Sequence, residues 1–197
     1  MVRMSVVAAF AAAFLIAALA AFGIVSFAAS ALGVGELPLQ WRIALGGAGM
    51  VPLALADLGA MRRSTYCPIG WRRQTPRTLM RGHHMLIVAT LWGLDTGLLV
   101  TTFRVAAITW AALYLAALGL SPWWVGIAYG VGFLVPFMVL LIRPQLGRAA
   151  RARTSSDPGL EAMLRMRSRV QGLSALLLTV TALGLALTFG FFNSVAS

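Results

Sequence analysis

Polar positions in this chain are gathered into a few short clusters, and the stretches between them are almost continuously apolar. Six such runs occupy residues 5–32, 43–61, 84–104, 105–120, 125–142 and 170–192. Most approach the length of about 20 residues that a helix needs to cross a bilayer. The pattern therefore predicts an all-α, polytopic membrane helix bundle, a single integral membrane domain over residues 1–197 with no soluble domain. The first run is longer than the ~7–15 residue core of a signal peptide, although Phe27-Ala28-Ala29-Ser30 imitates a cleavage site and keeps a removed leader as an alternative. Its alanines suit close packing against neighbouring helices. Trp123 and Trp124, beside the Ser121–Pro122 break, are placed as interfacial aromatics.

Two of the polar clusters are strongly basic, at residues 62–84 and 143–169. Within the second, residues 157–169 are expected to form a short amphipathic helix lying along the headgroups. If every apolar run crosses fully, these two loops face opposite sides, with seven arginines on one face and nine on the other. Short cytoplasmic loops normally carry a clear excess of positive charge, so the count and the pattern conflict. One resolution makes the third run re-entrant, turning at Gly93-Leu94-Asp95-Thr96-Gly97 and leaving on the side it entered. All arginines but Arg42 would then share one face. The other keeps 84–104 as a continuous helix whose Gly93 and Gly97 form a small-xxx-small packing face. Charge favours the first and length the second.

Composition supports the membrane assignment: 60% of residues are hydrophobic, 11% are charged and the mean hydropathy is +0.87. One small core cannot hide that much apolar surface, so lipid must cover much of it. The net charge of +11 comes from 16 basic residues, all arginine. Because they lie between apolar runs, they point to membrane topology and anionic headgroups rather than to nucleic acid. The single cysteine, Cys67, excludes an internal disulfide, a two-cysteine relay and a paired-cysteine metal site.

Few residues could carry chemistry. Asp95 lies at the centre of the third run, and an acid within a membrane segment is costly enough to face protein or water rather than lipid. It is expected to be a proton, cation or substrate-anchoring site, or else a structural acid bonded to backbone or to an arginine. Thr102 shares its face, Thr90 and Thr101 follow the glycine face, and Arg104 is the natural partner. Asp57 is expected at the interface, paired with Arg62 or Arg63. Should it instead meet Asp95 across helices, one of the two acids would hold its proton.

Pro52, Gly93, Gly97 and Pro136 are the expected hinges or helix breaks. The segments GGAGMVPLAL from Gly46 and GVGFLVPFMV from Gly130 align at a glycine and at Val-Pro, as an inverted repeat would. Arg62, Arg63, Arg72 and Arg73 are expected to contact anionic lipid or a partner. His83 and His84 are adjacent, a poor spacing for a metal pair, and no metal site or cofactor is expected. Nucleophile-elbow, zincin and phosphate-loop motifs are absent from the sequence.

These features lead to a small permease or exporter-like transporter of the bacterial inner membrane, self-associating through its glycine-rich faces. In architecture alone it resembles small bacterial exporters. It also resembles the membrane part of thiol-electron carriers, whose cysteine pair it lacks. Two alternatives stay open: a non-catalytic accessory subunit or scaffold of a larger membrane complex, and a lipid-modifying membrane enzyme.

Overall fold

The computed structural model describes residues 4–63, 65, 69, 82–98, 106–135 and 158–196. Among them are six α-helices, one 3-10 turn at Val34–Glu36, and no strand. The helices are α1 (Met4–Ala31), α2 (Leu39–Arg62), α3 (Met85–Gly97), α4 (Ile108–Ala117), α5 (Val125–Val135) and α6 (Pro158–Ala196). Three are long and apolar enough to cross a membrane: α1, α2 and the Met166–Ser194 part of α6.

Of the six expected apolar segments, three are helices of spanning length among the described residues. α3 and α4, with 13 and 10 residues, reach only about 20 and 15 Å at 1.5 Å per residue. Neither alone covers a hydrocarbon core of about 30 Å. Residues 85–97 form one helix, so the expected hairpin with its turn at Gly93–Gly97 is absent. The separate headgroup helix expected at 157–169 is absent too, since α6 is continuous from Pro158 onward. α2 likewise continues through Pro52.

α1 is the spine of one group of helices. Phe10, Phe14, Ala18 and Phe22 recur at intervals of four and are buried, the stripe a helix turns toward its neighbours. α3 packs on its first half. A β-carbon on Gly93 would lie 2.4 Å from the Phe10 carbonyl oxygen, and one on Gly97 2.4 Å from that of Phe14. Only hydrogen fits there, and the matched register shows that α3 runs parallel to α1. α4 packs further along, joining Leu113 and Ala116 to Ala21 and Phe22. α5 runs antiparallel, with Gly126 against Ala18 and Leu19, Gly130 against Leu15, and Phe133 stacked on Phe14 at 4.7 Å.

The second group is built on α2. α6 runs antiparallel to it, with Gly172 beside Met61 and Gly47 beside Ala182 and Leu185. α4 is antiparallel to α2 as well. Tyr114 fills the notch at Gly49, and its hydroxyl donates to the Leu45 carbonyl at 2.9 Å. Met50, Ala54, Ala107, Ala111 and Leu178 make the core where α2, α4 and α6 meet. α4 thus joins the two groups. Its far end is closed by Gly119, at φ 64°, with bonds from Leu120 N–H to the Leu115 carbonyl and from Gly119 N–H to that of Ala116. That is the paired stop for which a glycine in the left-handed region is suited.

Because backbone blocks the space at Gly93 and Gly97, Gly93→Ala and Gly97→Ala should each destabilise the protein by about 1–3 kcal/mol through overpacking. Gly184→Ala, at a glycine with open space around it, should be neutral or gain up to about 1 kcal/mol of helix propensity. Denaturation in mild detergent, followed by circular dichroism, separates the two classes.

Candidate functional site

α4 begins against an acid supplied by another helix. Asp57 follows Met50 and Ala54 at spacings of seven and three, which places it on the buried face of α2, and its exposure is 0%. Both carboxylate oxygens lie 2.9 Å from the Ala107 backbone nitrogen, whose N–H donates to them. Ala107 is the residue immediately preceding α4. The first N–H groups of a helix have no partner within it and carry partial positive charge, so a carboxylate from α2 performs the task usually left to a local side chain. From α6, the Ser174 hydroxyl donates to Oδ2 at 2.5 Å, a short, charge-assisted bond. One buried carboxyl group therefore ties α2, α4 and α6 together.

The pairing of Asp57 with Arg62 or Arg63 expected from the sequence is not formed, since both arginines stand exposed at the end of α2. Helix geometry supplies the reason. Five residues turn a helix by about 500°, which leaves positions 57 and 62 some 140° apart. Ser174 and Gln171 were not anticipated. Both are buried, and Gln171 Nε2 donates to the Thr65 carbonyl at 2.9 Å. The available signal was two polar residues three apart in an otherwise apolar run.

Asp95 sits in the last turn of α3 and is partly exposed. Being two residues from both Gly93 and Gly97, it lies on the face of α3 turned away from α1. The helix that carries it stops level with Phe14 to Ala17, about half-way along α1. Thr102, Arg104, Thr101, Arg72, Arg73, Cys67 and Pro136 lie outside the described residues. Thr90 bonds back to its own helix, its hydroxyl donating to the Leu86 carbonyl at 2.9 Å, and Thr96 does the same to Trp92 at 2.7 Å. His84 caps α3, accepting from Leu86 N–H at 3.3 Å, and His83 is exposed. Gly93 and Gly97, expected as breaks, are packing notches instead.

At the opposite end of the molecule, a cleft of about 180 Å³ is lined by residues that include Ser26, Ser30, Gly119, Ser121 and Trp123. Its lining has no titratable side chain. Nearby, Arg42 Nη1 donates to the Leu118 carbonyl at 3.4 Å, a cation at the negative end of α4. Among the described residues, no three His, Cys, Asp or Glu side chains are grouped to hold a metal ion.

No family model matches the chain, no curated protein matches it in sequence, and no solved structure matches its fold.

Hydrogen bonds to a charged group are worth about 1.5–3 kcal/mol each. Ser174→Ala should therefore lower stability by about that amount, and Asp57→Ala by more, since it also strands the N–H at the start of α4. If both act through one carboxylate, the double variant will fall well short of the sum of the single losses in a double-mutant cycle. Additive losses would mean that the Asp57–Ser174 bond contributes nothing.

Proposed function

We propose that this chain is a small multi-pass transporter of the permease type, in which Asp95 anchors a cation or a cationic substrate. In this arrangement Asp57 is a structural acid that holds the start of α4 in place. The observation that carries the proposal is the position of Asp95, in the final turn of a helix that ends half-way along α1. Transporters build midplane sites from helix ends, because the free backbone carbonyls at a C-terminus can coordinate a cation. An acid added to that negative end raises the attraction for a positive charge. Ionisable groups at such depth face protein or water, and they mark ion and substrate paths.

A second reading, an accessory subunit of a larger complex, draws on the same residue. Asp95 lies on the side of α3 that α1 does not cover, where a partner helix bearing an arginine could meet it. Extraction in a gentle detergent separates the two: the subunit reading requires a companion in fixed ratio.

For the transporter, the test is uptake of a lipophilic cation, ethidium, into proteoliposomes carrying an imposed pH gradient, with internal pH followed by a trapped dye. The wild-type protein should move the probe, and Asp95→Asn should reduce the rate to that of protein-free vesicles while thermal stability stays unchanged. Equal rates for the Asn variant and the wild type would remove Asp95 from the site. Absence of any gradient-dependent movement by the wild type, across a panel of cations, would end the transporter reading.

A further inference from the structure

We propose that α3 and α4 are the two halves of one interrupted membrane crossing. The chain would then pass five times and present a single arginine-rich face, fitted to an anionic leaflet. This does not depend on transport activity and would stand if none were found.

The directions of the helices carry it. α3 runs parallel to α1, as Gly93 against Phe10 and Gly97 against Phe14 require. α4 runs the same way: Leu113 and Ala116 meet Ala21 and Phe22, and its end at Ala116–Gly119 lies beside the end of α1 at Ser26–Ser30. Two consecutive helices pointing in one direction cannot be successive passes in opposite senses. They are also stacked end to end along α1. α3 stops at the level of Phe14–Ala17, and α4 occupies the level of Ala21–Phe22 and beyond. Together their 13 and 10 residues cover about 35 Å, the depth of one hydrocarbon core and its margins. A helix may start inside a membrane only if its free N–H groups are satisfied by protein. At the start of α4, Asp57 provides this for the Ala107 N–H.

The passes are then α1, α2, α3 with α4, the apolar run 125–142 that begins as α5, and α6. Arg62 and Arg63 at the end of α2, and Arg167 and Arg169 near the start of α6, fall at one end of the bundle, because Gly172 lies beside Met61. In the sequence, the basic stretch 64–81 follows the end of α2 and the basic stretch 143–157 precedes the start of α6, the two helix ends on that side. By sequence this places 14 of the 16 arginines on one face, with Arg42 on the other and Arg104 in the interruption. The conflict in the charge count disappears without a hairpin. A face this basic matches the negative potential of an anionic leaflet, which attracts each nearby arginine within about a Debye length of the surface.

The test uses single cysteines in a Cys67→Ser background, labelled in oriented vesicles with a membrane-impermeant maleimide. His83→Cys and Ser168→Cys should label from one side, and Ser121→Cys and Asn193→Cys from the other. Six full crossings would instead pair His83 with Ser121 and Asn193, leaving Ser168 alone, and that result would overturn the proposal. For the leaflet, wild-type protein should melt several degrees higher in nanodiscs containing phosphatidylglycerol than in phosphatidylcholine alone. A combined Arg62→Gln, Arg63→Gln, Arg169→Gln variant should lose most of that rise. Equal melting of the wild type in both lipids would overturn the anionic partner.

Discussion

A carboxylate removed from water must find its hydrogen bonds inside the protein, and Asp57 finds them on two other helices. The N–H of Ala107 and the hydroxyl of Ser174 converge on it at 2.9 and 2.5 Å. Leaving such a group unmatched at zero exposure would cost several kcal/mol, so the positions of α4 and α6 relative to α2 are tightly specified. Apolar contacts alone would not do this. Met50, Ala54, Ala107, Ala111 and Leu178 form the apolar core of the same three helices, yet smooth side chains of that kind tolerate sliding along a helix axis. The polar bond fixes the register, and the apolar shell keeps water from competing for it.

The other group of helices is held by fit rather than by charge. Between helices in lipid, burial of apolar surface gives little driving force, because the lipid tails are apolar too. What remains is close approach, and α1 obtains it from residues without bulk on its neighbours. Gly93, Gly97 and Gly126 each lie against α1 backbone, while Phe14 stacks on Phe133 and Phe10 and Phe22 meet Trp92 and Tyr129 with tilted rings. Small residues set the distance, and the aromatic rings set which helix goes where. α6 differs: its outer side carries Leu173, Leu176, Val180, Leu183 and Leu187, all exposed, as suits a helix facing lipid.

Much of this was legible in the chain. Helix class and the positions of the apolar runs followed directly from hydropathy, because lipid demands apolar side chains and internally bonded backbone. The Gly93-x-x-x-Gly97 packing face was one of two readings the chain offered, the other being a re-entrant turn at the same glycines, and only the contact with α1 decides between them. Chain direction was not legible. Hydropathy says that a segment tolerates lipid, and it is silent on whether two short segments lie side by side or end to end. That difference is set by which glycine meets which carbonyl on α1, a matter of tertiary register. Asp57 was misplaced for a related reason, as nearness in sequence to Arg62 suggested a pair that helical rotation forbids. Its spacing from Met50 and Ala54 was the better guide.

Charge and register constrain each other more strongly than either does alone. Counting every apolar run as a pass leaves seven arginines against nine, which no simple rule of insertion favours. Placing α3 and α4 in line changes the parity of every segment that follows, and the second basic loop moves to the face of the first. The same step demands a helix start at depth, which would be prohibitive without a partner for its N–H groups. Asp57, which hydropathy alone would treat as a blemish near the end of α2, accepts the N–H of Ala107, the residue that leads into α4. An acid buried in one helix, a short helix beginning beside it, and a one-sided distribution of arginines are therefore consequences of a single arrangement. Removing the acid would leave α4 without a cap, and without α4 in line the charges would again be split between two faces.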